Sequence, residues 1–285
     1  MEPDPLGQPA HDQGDVRAAA RLPVPVPRAG LRRGPLSEPL ALRLAFGNVA
    51  ETYDRVRPPY FQPLLDRAQD ALGLGPDARV LDLGAGTGRL TRELARRFAT
   101  VVAVEPDDEM RALVDAGTVL AGSAEAIPLE DASVDCVFAG EAFHWFDKAP
   151  ALAEIARVLI AGGGLAIVWT HWWETEPALP DDVIELLREP FERFAGQRPA
   201  PWEGTFDDSP FEPLQEEEFE EELVVDAGRL LEMYSTTSSL AVLSEEERTA
   251  LFDRVRPFLV ESYRLPVKHR LTWTRLRPSS RAAAP

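Results

Sequence analysis

The sequence predicts an α/β protein built on a doubly wound, mostly parallel seven-stranded sheet with an antiparallel edge strand and a helical cap. Three observations carry this. Short apolar runs alternate with amphipathic helical stretches from residue 61 to residue 169, the form of a parallel sheet covered on both faces. The first run leads straight into three closely spaced glycines, Gly84, Gly86 and Gly88. The last two strand-like segments, 220–225 and 267–276, are suited to pair with each other at the sheet edge.

In chain order, residues 61–72 carry apolar positions at helical spacing, with Pro58 and Pro59 before them and Gly73 and Gly75 after them as start and stop signals. Strand 79–83 follows, then helix 89–98, strand 101–104 and helix 107–115. Weaker strands are expected at 118–121 and 134–139, a helix at about 149–159 and a strand at 165–169. After Thr170 the alternation stops. Residues 171–215 are rich in Trp, Pro and acids and read as a cap inserted on the sheet, with one helical patch at 181–194. Strand 220–225, a helix around Leu230, a capped helix at 244–260 and strand 267–276 complete the domain. The acidic run Glu216 to Glu222 reads as a solvated approach to its strand.

Residues 1–40 hold eight of the 26 prolines and no sustained apolar period, and they read as a disordered extension preceding a single domain at 41–285. Five acids there balance five arginines, so the net charge of −18 belongs to the domain. That sign argues against nucleic acid or an anionic membrane surface as the partner. No stretch approaches the roughly 18 apolar residues of a membrane span. With no basic-then-apolar leader, a cytoplasmic location is the expectation. The single cysteine, Cys136, rules out an internal disulfide and reads as a buried strand residue, and the four scattered histidines do not suggest a metal site.

The strongest chemical signal is Asp82-Leu83-Gly84-Ala85-Gly86-Thr87-Gly88, between a strand and a helix, where missing side chains let backbone approach a ligand. A dinucleotide fingerprint requires G-x-G-x-x-G, but the pattern is G-x-G-x-G with Arg89 where the third glycine would stand, which weakens a hydride-transfer reading. Twenty-one residues beyond Gly84, Glu105 ends the second strand, where a carboxylate can accept from both hydroxyls of a ribose.

With these residues in view, the chain resembles the class I S-adenosylmethionine-dependent methyltransferases over about residues 46–276. The resemblance rests on Val80 to Gly88, Val104-Glu105-Pro106, Gly122 to Pro128, Ser133 to Val137 and Arg157 to Gly164. The opening Ala50 to Tyr60 and Phe143-His144-Trp145-Phe146-Asp147 point further, to the small-molecule branch that includes trans-aconitate methyltransferase-like enzymes. Ala85, Glu105 and Ala161 stand where many members have Cys, Asp and Pro. The resemblance implies a Rossmann-like methyltransferase fold and S-adenosyl-L-methionine as cofactor. It places Gly84, Gly86 and Gly88 beneath the cofactor's methionine part, Glu105 at its ribose and Ala124 and Glu125 at its adenine edge, with Asp82, Ala85 and Pro106 also among the cofactor-binding residues. The backbone at Gly140 and Glu141 would face the amino group, with Tyr53 and Arg57 closing over the site.

Methyl transfer is an in-line displacement in which alignment supplies much of the rate. A carboxylate acceptor needs no base, whereas a phenol or alcohol benefits from one. His144, after the fourth strand at the edge where ligands bind, is the sequence's candidate for that base, or for a structural histidine beside Trp145. Trp145, Phe146, His171 and Trp172 are candidate walls of an acceptor pocket, and core packing competes with that role for each tryptophan. The expected reaction is methyl transfer to a small organic molecule at a carboxylate or hydroxyl oxygen. A non-catalytic cofactor-binding scaffold and an NAD-dependent oxidoreductase are the rivals.

Overall fold

The computed structural model describes residues 49–172, 179–193 and 204–278. The extension 1–40 and residues 173–178 and 194–203 of the expected cap lie outside them. The order is α1 (Ala50–Val56), α2 (Gln62–Ala71), β1 (Arg79–Leu83), α3 (Arg89–Ala95), β2 (Thr100–Glu105), α4 (Asp108–Arg111), β3 (Thr118–Ala121) and β4 (Val134–Gly140). There follow α5 (Lys148–Val158), β5 (Leu159–His171), α6 (Asp181–Arg193), β6 (Gln215–Asp226), α7 (Ala227–Ser235), α8 (Ser238–Ala241), α9 (Glu245–Val255) and β7 (Ser262–Arg275).

The strands form one sheet in the order β3-β2-β1-β4-β5-β7-β6. β1 pairs in parallel with both β2 and β4, so the winding reverses between β1 and β4. β7 runs antiparallel to β5 and β6, which builds the expected antiparallel edge with β6 outermost. The two sheet faces follow from side-chain alternation. Leu81, Leu83, Val137, Ala139, Leu165 and Ile167 pack with Leu152 and Ile155 of α5. Val80, Cys136, Phe138, Ala166 and Val168 pack with Leu64 and Leu65 of α2 and Leu90 and Leu94 of α3. Cys136 is fully buried as expected, and burial pushes its thiol pKa up, so it is an inert packing residue. Trp172 and the apolar faces of α6, α7 and α9 form a further core with Val225 of β6 and Leu265 and Val267 of β7.

Two strands are longer than their apolar runs indicate. β5 begins at Leu159 because the pairing with β4 shifts register between Val134 and Cys136, and Gly162, at φ +76°, carries the chain through the irregularity. β6 begins at Gln215, so the acidic run lies within the strand. Its alternate side chains meet cations: Arg270 lies 2.8 Å from Glu218, Lys268 lies 3.6 Å from Glu220, and on the α2 face Arg67 lies 2.6 Å from Glu217. Cross-strand pairing, which a local charge count does not register, places this run.

The helix expected at 244–260 ends at Val255 and gives way to a short 3₁₀ turn. Its start is a full capping box, in which the Ser244 hydroxyl accepts from the Glu247 backbone N–H at 3.2 Å and the Glu247 carboxylate accepts from the Ser244 N–H at 2.9 Å. Ser244→Ala is expected to lower stability by about 1 kcal/mol in urea unfolding. An unchanged midpoint would mean the cap contributes nothing in this exposed setting.

Candidate functional site

The reversal between β1 and β4 leaves a crevice at the carboxyl ends of the strands, where ligands of open α/β sheets bind. β1 delivers the chain into left-handed turns at Gly84 (φ +73°), Gly86 (φ +56°) and Gly88 (φ +80°). A Cβ on Gly84 would stand 2.7 Å from that of Ala142, so this residue is small for packing as well as conformation. Around Gly86 the nearest atom to a Cβ would be Met110 Cε at 3.5 Å, leaving its backbone bare toward the crevice. Glu105 braces the loop: its carboxylate accepts from the N–H of Gly86 at 2.8 Å and from that of Asp107 at 2.9 Å. On β1, Asp82 is buried with one oxygen accepting from the Thr91 hydroxyl at 2.6 Å, and its Oδ1 has no partner among the described residues. Burial pushes this carboxyl up to about 7.

Helix α1 roofs the loop. Asp54 accepts from the Thr87 hydroxyl at 3.0 Å and from Arg92 at 2.7 Å. Arg89 donates to the carbonyls of Asp54 at 2.7 Å and Arg57 at 2.8 Å, and also to that of Pro58. Arg57 points away toward the cap, donating to the Thr236 hydroxyl at 2.8 Å and carbonyl at 2.7 Å, between the rings of Tyr53 and Trp172.

The third wall is the end of β4. Tyr60 packs its hydroxyl against Gly140, where any side chain would collide with it. Glu141 is one of two non-glycine residues with positive φ among those described, at +56°, a conformation costing on the order of 1–2 kcal/mol. Its N–H donates to the Val168 carbonyl at 2.9 Å and its carboxylate accepts from the Thr170 N–H. Burial pushes the Glu141 carboxyl up to about 7, against the opposing pull of Arg57 and Arg89.

These walls line a crevice that is open to solvent, with about 840 Å³ of empty space when its open mouth is counted. Of the residues singled out from the sequence, Tyr53, Gly84, Ala85, Gly86, Glu105 and Pro106 line it. Ala124, Gly140, Glu141, Trp145 and Phe146 line it as well. Asp82 and Gly88 lie behind the loop, Gly88 tight against Val114, and the Glu125 carboxylate caps the N–H of Asp147 instead.

Arg57, His144, His171 and Trp172, also singled out from the sequence, lie off this lining. His144 is not among the lining residues: its ring packs 4.8 Å from Trp145 and 4.9 Å from Trp169, and burial pushes its pKa down to about 3, far too low for an efficient base. His171 lies beyond Trp169, 6.0 Å away ring to ring, and is also off the lining. Trp172 is 1% exposed and packs edge-on to Tyr234, a cap-core residue rather than an acceptor wall. Lining residues the sequence reading did not single out include Tyr60, Thr87, Arg89, Met110 and Ser123. Tyr60 and Ser123 stood inside quoted motifs, and Arg89 was weighed only as an obstacle to a dinucleotide turn.

Among the described residues no group of three His, Cys, Asp or Glu is placed to hold a metal ion, and no helix is long and apolar enough to cross a membrane. The sheet order and the glycine-floored crevice define an α/β enzyme of the Rossmann-like type. Residues 81–167 match the methyltransferase domain family. An uncharacterized methyltransferase of Mycobacterium tuberculosis is 35% identical over 222 residues, covering 76% of this chain and 86% of its own. A malonyl-[acyl-carrier protein] O-methyltransferase of Methylococcus capsulatus is 41% identical over 101 residues, 32% of this chain and 37% of its own. A solved structure described as a type II methyltransferase, from Anaeromyxobacter dehalogenans, shares the fold at 24% identity and TM-score 0.55, over 78% of this chain and 99% of its own. The chain belongs to the class I S-adenosylmethionine-dependent methyltransferase family, and it is a methyltransferase.

Proposed function

We propose that this protein binds S-adenosyl-L-methionine in the crevice and transfers its methyl group to a small organic acceptor at oxygen. The observation that carries the reading is the floor: bare backbone at Gly86, with the Glu105 carboxylate accepting from its N–H. Those residues fit the cofactor. A carboxylate offers roughly four acceptor positions, so two bonds to backbone N–H groups are compatible with a further pair from vicinal hydroxyls. The aromatic rings of Tyr53, Tyr60, Trp145 and Phe146 and the acid Glu105 suit a ligand carrying positive charge. When bound, the cofactor supplies a methyl group activated on a sulfonium. Gly84 and Gly86 would carry its methionine side, Glu105 its ribose and Ala124 and Ser123 its base, with α1, clamped through Asp54 and Arg89, roofing the loop. The Methylococcus relative, by its name an O-methyltransferase, supports an oxygen acceptor.

Calorimetric titration with S-adenosylhomocysteine, with NAD alongside, tests the cofactor. Binding of the first alone is the expected outcome, and binding of NAD alone overturns the reading. His144 gives a separate prediction. His144→Asn is expected to keep turnover within about tenfold of wild type, whereas loss of a true base costs roughly 10²–10⁴. A drop in that larger range would restore His144 as the base.

A further inference from the structure

We propose that Glu141 is the general base that takes the proton from a hydroxyl acceptor, its carboxylate held by the Thr170 backbone N–H. This deepens the proposed function and rests on it. Glu141 lines the crevice together with Tyr53 and Tyr60, just past the end of β4. It is held from behind, since the Thr170 N–H on β5 donates to its Oε1. Thr170 is in turn anchored, its hydroxyl 3.2 Å from Nδ1 of His269 on β7. His269 is 1% exposed, lies 3.1 Å from Glu221 of β6 through Nε2, and stacks on Phe61 with ring centroids 4.9 Å apart. The carboxylate is thus fixed by a backbone donor of β5, and the backbone at Glu141 is held in a left-handed conformation that side chains avoid.

The other ionisable groups around the crevice are poorly suited. Tyr53 and Tyr60 have phenols raised by burial and stay protonated. Glu105 is engaged in bracing the loop. The positive charges of Arg57 and Arg89 moderate the effect of its burial, which leaves the carboxyl titrating near neutrality, where a base is most effective. In the step, the acceptor O–H bond breaks and its proton goes to Glu141. The oxygen lone pair forms the bond to the methyl carbon, and the carbon–sulfur pair leaves with sulfur as a neutral thioether. Glu141 then returns the proton to solvent.

The test compares wild type with Glu141→Gln, whose amide oxygen can still accept from Thr170. Phenol and 4-nitrophenol serve as acceptors, the latter ionising near neutral pH without help, and S-adenosylhomocysteine affinity is measured by calorimetry. The expected result is affinity within about threefold of wild type, phenol methylation down roughly 10²–10⁴ and 4-nitrophenol methylation down less than about tenfold. Wild-type phenol turnover should rise with pH through the neutral range to a plateau, and the variant should lose that rise. Independently of turnover, a wild-type-minus-variant infrared difference in the cofactor-free protein should show a carboxyl titrating near neutrality. An equal loss for both phenols, or a carboxyl already ionised at pH 5, overturns the base. A parallel loss of S-adenosylhomocysteine affinity makes Glu141 a cofactor anchor instead. A wild-type enzyme that binds S-adenosylhomocysteine but methylates neither phenol overturns the hydroxyl acceptor and the base with it. Failure to bind S-adenosylhomocysteine is failure of the underlying function.

Discussion

Gly86→Asp is expected to abolish S-adenosylhomocysteine binding, by more than about 100-fold or nearly 3 kcal/mol, while the protein stays folded. Gly86 holds φ +56° and donates its N–H to Glu105. A Cβ there meets nothing nearer than Met110 Cε at 3.5 Å, so the substitution does not break packing. Its fold cost is the left-handed conformation, on the order of 1–2 kcal/mol, and the like charge set beside Glu105. The new carboxylate would project where backbone and ligand meet and would stand beside Glu105, a second negative charge repelling the one that braces the loop. Gly84 is the contrasting position, since even Ala there would press on Ala142 at 2.7 Å and disturb the fold itself. Calorimetry together with a thermal melt separates the two effects. Wild-type affinity in folded Gly86→Asp would remove the loop from the binding site.

Asp82→Asn is expected to stabilise the cofactor-free protein at alkaline pH. The folded carboxyl is raised from 3.8 to about 7 by burial, so the native state binds a proton that the unfolded state releases over that interval. The penalty is absent below the unfolded value, grows between the two and is complete above about 7. The three-unit shift sets a ceiling of about 4 kcal/mol at pH 8. At pH 5.5, still clear of the isoelectric point near 4.7, about half of that remains. Asn can keep the bond from Thr91 through its carbonyl oxygen. Urea unfolding at both pH values checks the sign, and a variant less stable at pH 8, or a gain that does not shrink toward pH 5.5, would refute the buried-charge account. Retention of such a destabilising acid fits the proposed ligand role of the crevice, because functional sites commonly keep strain that the fold alone would discard.

Much of this was legible in one dimension because its causes are local. Val80 to Leu83, Val134 to Ala139 and Leu165 to Trp169 are apolar on both sides because helices cover both sheet faces, so the parallel core could be read from composition and spacing. Gly84 and Gly86 announced a close backbone approach, and Glu105 stood at the end of its strand, where the sheet's carboxyl edge lies. These inferences depend on turn chemistry and side-chain period.

The sequence by itself therefore determined the sheet, its glycine loop, the acid beside that loop and, through the resemblance, the family. Only the tertiary structure decided which neighbours of those motifs reach the crevice. His144 and Glu141 are three residues apart, yet Glu141, at a left-handed backbone position, lines the crevice while the following 3₁₀ turn packs the half-buried His144 ring against Trp145 and Trp169. Trp172 goes to a core formed with residues some 60 positions away, and the acidic run of β6 finds cations on β7 some 50 positions away. The physical reason is common to all of these: desolvation, pairing and access depend on what the chain brings alongside from afar, and a residue's own sequence neighbourhood contains no record of it.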